Sequence, residues 1–396
     1  MKRTVLLIIT CVITMSVLAG CSAKNIENIP PTEHTRAEET EDGTEANIEN
    51  SAEVISQQSG NYAFDQLETE AERKLYAEIY TILINQDENV VVSSILVDTI
   101  DYVFQCVMND HPEIFYANGY TYTKYSVGDE TKHIAFSGTY TMDRNTIQEM
   151  QTRIDAYVAQ CINEMDVSFD SYEKVKYIYE YLIYHTTYDL QAKENQNICS
   201  VCVYGASVCQ GYAKTMQYIL NQLGIPTTLV IGTVDTGEGH AWNLVTIDGA
   251  YYYVDATWGD AFYQLEGEGE GEQAGNEKPQ INYDYLCVTT EQLCTTHVID
   301  NIVPMPECTS MKDNYYVREG AYLEQYESSQ IQALFEEAYA SGKVYVTLKC
   351  ATPAVFQEMK TDLIENQKVF QFLQDSTSQI AYINNKDQLT LSFWLS

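Results

Sequence analysis

Positive charge is scarce in this sequence: 22 Lys and Arg stand against 57 Asp and Glu in 396 residues, a formal net charge of −35. That excludes a nucleic-acid binder, which pairs phosphates with clustered Lys and Arg. It also excludes docking on a membrane by charge, because anionic headgroups repel an acidic surface. Cysteine is sparse, 11 residues in all, far below the roughly 8–10% of a disulfide-built miniprotein. The folds must therefore stand on their hydrophobic cores. The longest apolar run near the N-terminus, residues 4–18, falls short of the ~20 residues a membrane-spanning helix needs. What is present is 45% hydrophobic and 12% aromatic residues, which rules out a wholly disordered or collagen-like chain. The length leaves room for two to four domains at roughly 100–200 residues each.

Lys2 and Arg3 ahead of that apolar run make it an export signal, residues 1–20. It closes as Leu18-Ala19-Gly20-Cys21, which resembles the lipobox of bacterial lipoproteins. The resemblance implies that the Cys21 thiol is lipidated and becomes the mature N-terminus, giving an exported protein held at the cell surface by its lipid. Residues 21–60 are rich in Glu, contain Pro30-Pro31 and show no aromatic residue or apolar periodicity. Such a stretch buries too little surface to offset the entropy of ordering it, so a disordered acidic tether is expected. About 40 flexible residues reach roughly 35 Å.

The exported body reads as three parts. Residues 61–165 form an α+β domain: helices over 64–84, 93–108 and 143–162, and a hairpin of strands 120–126 and 133–142 about Gly128-Asp129-Glu130. Residues 166–308 hold a helix over 172–188, a loop with Cys199 and Cys202, and a helix over 209–223 stopped by Gly224 and Pro226. A strand over 227–234, two more flanking Asp248-Gly249 and a flexible Gly/Glu loop at 266–277 follow. Residues 309–396 form a small α/β domain with no His and only Cys350, suited to binding or packing rather than chemistry.

Three stretches carry the chemistry: Val208-Cys209-Gln210-Gly211-Tyr212-Ala213, Gly239-His240-Ala241-Trp242-Asn243, and Val254-Asp255-Ala256-Thr257-Trp258-Gly259-Asp260. Cys209 stands where a helix begins, and a helix N-terminus favours the thiolate. Its backbone N–H is also a candidate oxyanion donor. Gly211 would let a substrate backbone approach, and Gln210, Tyr212 and Trp242 join it as candidates for substrate or oxyanion contacts. A cysteine nucleophile needs a base, and the base an orienting acceptor. If Asp248-Gly249 is a two-residue turn, paired residues sum to 497, setting His240 opposite Thr257 with Asp255 on the same face. His240 and Asp255 are then diagonal neighbours, about 7–8 Å apart at Cα.

The three stretches resemble, almost letter for letter, the motif blocks of the transglutaminase-like superfamily, over about 130 residues. The resemblance implies an α+β, papain-like core in which a helix carries the nucleophile Cys209 and an antiparallel sheet carries His240 as base and acid and Asp255 as orienting carboxylate. It implies attack on a carboxamide or peptide carbonyl, with a protein or peptide substrate such as a cell-wall peptide. No cofactor is expected. Cys199 and Cys202 lack the four ligands that zinc wants nearby, so no metal is expected either. Nine cysteines follow Cys21, so at least one is unpaired within the chain, consistent with Cys209. His297 reads as structural, and the many tyrosines as half-buried strand surface. The alternatives are a non-catalytic envelope adaptor on the same fold, and a site held latent beneath the N-terminal domain or the 266–277 loop.

Overall fold

The computed structural model describes residues 32–36, 61–127, 130–260, 281–374 and 380–395. The export signal, Cys21, most of the acidic tether and the 266–277 loop lie outside the described residues. Within the tether, Thr32–Arg36 (β1) runs as a strand. No helix among the described residues is long and apolar enough to cross a membrane.

The class is α+β, as expected. Helices α1 (Glu70–Asn85), α2 (Val97–Asp110) and α3 (Arg144–Glu164) accompany strands β2 (Val90–Val92), β3 (Ala117–Val127) and β4 (Glu130–Tyr140). The sheet order is β1-β3-β4-β2, with β1 parallel to β3. Helix α1 begins at Glu70, less than two turns later than its apolar periodicity suggests. Thr69 and Glu72 form a reciprocal capping box there, satisfying amides that a longer helix would leave to other partners.

The middle of the chain supplies α4 (Ser171–His185), entered through a second capping box at Asp170 and Glu173, and α5 (Cys209–Gln222). Five antiparallel strands follow: β5 (Thr227–Val234), β6 (Gly239–Ile247), β7 (Ala250–Val254), β8 (Leu286–Val288) and β9 (His297–Ile299), in the order β8-β7-β6-β5-β9. The β6–β7 register pairs Asn243 with Val254 and Ile247 with Ala250, the sum of 497 that the turn implies. Asp248 and Gly249 both take positive φ, 49° and 82°, the two left-handed residues of a type I′ turn.

One departure matters. The ladder stops at Val254, so His240 and Thr257 are not strand partners. Asp255 instead caps the short helix Ala256–Gly259, its carboxylate accepting the amides of Thr257 and Trp258. An Asx cap competes with the strand for that backbone, and here the cap wins.

One continuous buried core runs from Ala63 through the sheet to Val303, so α1 to α3 pack with the middle of the chain. At the join, Asn109 donates to Leu229 O at 2.9 Å and accepts from Thr228 at 2.7 Å, while Gln217 donates to Asn109 O at 2.8 Å. Next to it, buried Asp110 accepts from the amides of Ala63 and Phe64 and from Tyr76 Oη, each at 2.8 Å. The C-terminal part has its own core around Phe335, Leu348, Leu391 and Phe393. It comprises α6 (Ser328–Ser341), α7 (Pro353–Lys360) and strands β10 (Tyr322–Leu323), β11 (Tyr345–Cys350), β12 (Tyr382–Asn385) and β13 (Thr390–Trp394).

Two predictions follow from this packing. Burial raises the Asp110 carboxyl to about 6 against the hydrogen bonds that favour its anion. A raised acid binds its proton more tightly folded than unfolded, so it loses stability as pH rises from the ordinary carboxylate range through 6. Asp110→Asn should remove that slope, gaining about 3 kcal/mol on wild type between pH 3.5 and 7 in denaturant titrations. Gly232 pairs with His240 across β5 and β6, and a Cβ there would drive into the Val298 carbonyl and the Trp242 ring. Gly232→Ala should cost about 1–3 kcal/mol of unfolding free energy, measured the same way.

Candidate active site

The site is built where the first turn of α5 meets β5 and β6. Two short parallel strands, Thr187–Tyr188 and Ala206–Ser207, deliver the chain to the helix start. Val208 at the N-cap provides no side-chain acceptor, so no side chain neutralises the positive end of the helix dipole. Cys209 is the first helical residue and is 1% exposed. It packs with Val208, Ala213, Leu229 and Ala241, the last being the neighbour of His240. Asn243 ties the sheet to the helix by donating to Ala213 O at 2.9 Å.

Cys106, Cys161, Cys199, Cys202, Cys287, Cys294, Cys308 and Cys350 are free thiols, so the expectation of at least one unpaired cysteine holds, although Cys209 is not among them.

His240 Nε2 lies 2.7 Å from Asp255 Oδ2, both side chains buried. That bond directs the ring's other nitrogen, Nδ1, away from the carboxylate. The second oxygen, Oδ1, accepts the amides of Thr257 at 2.9 Å and Trp258 at 3.1 Å. Burial alone would raise this carboxyl, but the two imidazoles that face it, His240 foremost, outweigh burial and hold it well below the usual carboxylate range. Trp242 stacks near His240, with centroids 5.8 Å apart and planes 25° apart.

The second imidazole is His297, the first residue of β9, whose Nε2 approaches the same Oδ2 at 3.1 Å. Burial lowers its pKa and outweighs its bond to Asp255, so the ring is neutral. The ionised Asp255 carboxylate can only accept, so the neutral ring carries its proton on Nε2, and Nδ1 faces Thr296 Oγ1 at 2.8 Å. The chain of contacts continues outward. Tyr285 Oη is 3.3 Å from Thr296 Oγ1, Gln388 Nε2 donates to Tyr285 Oη at 3.3 Å, and Lys349 Nζ donates to Gln388 Oε1 at 3.2 Å. All of these side chains are buried. Gln388 and Lys349 belong to the C-terminal part, which the sequence marks as poor in chemistry.

His240, Asp255 and His297 place potential ligand atoms within 4.8 Å of one another. Both imidazole nitrogens instead converge on one carboxylate oxygen at hydrogen-bond distance, whereas a zinc ion would need its own position about 2.0–2.2 Å from every donor. The arrangement is that of a hydrogen-bonded cluster.

The remaining sequence candidates separate. Gln210 lines a cavity beside α5. Gly211 is buried against the Ser200 and Ser207 hydroxyls, facing the chain that enters the helix rather than open space. Tyr212 is buried and donates to Thr186 O and Asp260 Oδ2, each at 3.1 Å. Cys199 and Cys202 lie in a short helix, Ile198–Cys202, rather than a loop. His297, Thr296 and Gln388 had no local signature, because each reaches the site only through tertiary packing.

Comparison with known proteins adds the following. Residues 157–256 match the family model described as the transglutaminase-like superfamily. No curated protein matches the chain. Among solved structures, one titled as a crystal structure of a TGase is 15% identical, with 40% of this chain and 55% of that chain covered and a TM-score of 0.26. The periplasmic domain of TgpA from Pseudomonas aeruginosa is 14% identical, with 35% and 58% covered and a TM-score of 0.24. The chain thus spans little more than half of either structure. With α5 carrying Cys209 against an antiparallel sheet that carries His240, the fold has the expected α+β, papain-like core, and residues 157–256 form a transglutaminase-like domain.

Proposed function

We propose that the chain is a cell-envelope lipoprotein, anchored through Cys21, whose transglutaminase-like domain performs thiol acyl transfer on a peptide or carboxamide. The observation that carries this reading is the 2.7 Å bond between His240 and Asp255, set beside the first turn of the helix that begins with Cys209. His240 takes the thiol proton, and the thiolate adds to the substrate carbonyl. The tetrahedral oxyanion is met by backbone amides at the helix start. As it collapses, His240 returns the proton to the departing amine or ammonia, leaving a thioester on Cys209. Water then releases an acid, or an amine takes the acyl group, and the thiol is regenerated. Hydrolysis of an envelope peptide is the favoured outcome on grounds of location.

Full burial of Cys209 favours a second reading, in which the same site is latent beneath the segments that cover it. Both readings are tested under reducing conditions, since only the thiolate attacks. After reduction, iodoacetamide should alkylate Cys209 well below pH 8.5 and faster than the exposed Cys294. His240→Ala should slow this by about 10-fold or more. Labelling of Cys209 no faster than Cys294 would favour the adaptor reading.

The same assay tests His297. Asp255 Oδ2 is shared between two imidazoles. His297→Phe removes one donor and leaves the carboxylate to orient His240 alone, so the Cys209 alkylation rate should rise above wild type. His297→Gln, which restores a donor, should lie between the two. Equal rates in all three would assign His297 to packing alone.

A further inference from the structure

A cavity of about 640 Å³ opens beside α5, between that helix and the N-terminal part of the chain. Its walls mix polar side chains with apolar ones, Phe104, Phe115, Leu229 and Ile231 among them, and Gln210 and Lys214 reach it from the helix. These two residues are four apart and so share a helix face. Lys214 lies roughly 7.5 Å along the axis from Cys209 and about 140° around it, so the cavity reaches Cys209 through its neighbour Gln210 and through Leu229, which lines the cavity and packs with Cys209.

Lys214 has no ion pair or hydrogen bond, unlike Lys176, which meets Glu319 at 2.7 Å, or buried Lys349, which meets Gln388 at 3.2 Å. In a chain with 57 acidic residues, an unpaired lysine in a cavity is conspicuous. The acids that line the cavity do not serve it. Asp101 accepts from Gln105 at 2.8 Å, Glu194 accepts from Asn197 at 2.8 Å, and Asp300 is not paired with Lys214 either. Burial draws the Lys214 ammonium down to about 8, with no neighbouring carboxylate raising it. A second nitrogen is in the same position: His111 also lines the cavity, and its buried Nε2 has no partner, while Nδ1 meets Glu113 at 2.7 Å.

We propose that this cavity is the substrate subsite of the Cys209 centre and takes a peptide carrying a carboxylate, which pairs with Lys214. The proposal rests on Cys209 being the nucleophile. It narrows the substrate class from any peptide or carboxamide to an acidic one. The apolar part of the wall strengthens the pair by excluding water.

Iodoacetate and iodoacetamide share a leaving group and differ in charge, which makes the test direct. In the reduced full chain at pH 6.5, the ratio of iodoacetate to iodoacetamide rates at Cys209 should exceed that at Cys294. Lys214→Met should lower the Cys209 ratio by about 3-fold or more, and Lys214→Arg should preserve it. The ratio in wild type should also fall between pH 7 and 9 as Lys214 loses its proton. An unchanged ratio in Lys214→Met overturns the subsite while leaving the nucleophile intact. A Cys209 inert to both reagents overturns the nucleophile and the proposal with it. A thiol-independent arm uses the Cys209→Ala protein: glutarate should protect Lys214 from acetic anhydride more than it protects exposed lysines. Absence of protection counts against the subsite.

Discussion

The carboxylate of Asp255 is the point on which the architecture of the candidate site depends. It is fully buried, yet ionised, because four donors surround it: two backbone amides of the helix it caps and two imidazoles from separate strands. Removing one partner from such a buried charged cluster typically costs about 3–5 kcal/mol, since the remaining charge has no water to turn to. The cluster therefore holds β6, β9 and the Ala256–Gly259 turn in one arrangement, and fixes the His240 ring as a consequence. Trp242, Trp258 and Tyr285 close around His297, with centroids 4.9, 4.6 and 5.5 Å away, keeping the dielectric low and the hydrogen bonds strong.

Support for that cluster comes from far along the chain. Gln388, near the start of the last strand, reaches Tyr285 and Thr295, and Lys349 sits behind it. On the other side, Asn109 at the end of α2 bonds to β5 and α5 together. Buried polar groups of this kind are tolerated only when their partners are in place, so they make the two flanking parts integral to the site. The N-terminal part also supplies a wall of the cavity beside α5, which ties the shape of that cavity to the packing of α2.

Much of the middle segment was legible because its signals are local. Asp248-Gly249 demands a two-residue turn, and with period-two alternation that turn alone sets the β6–β7 register. Gly224 and Pro226 end α5 for equally local reasons. Where the reading departed from the structure, a competing local contact or a distant one intervened. Asp255 leaves the strand to cap a helix. Gly211 turns to Ser200 and Ser207, which lie close only after the chain folds back on itself. His297 and Gln388 have no neighbours in sequence that mark them, and their roles appear only when β9 and the β12–β13 turn pack against the sheet.

The amino-acid sequence alone determined the nature of the central domain, the order Cys209, His240, Asp255, and the hairpin that sets their parity, because motif spacing and turn chemistry act over a few residues. Tertiary structure decided which further groups share the Asp255 carboxylate and which face of α5 meets the cavity. Those outcomes depend on segments as far as 108 residues apart in the chain meeting in a water-poor interior, where an unpaired charge or donor is costly.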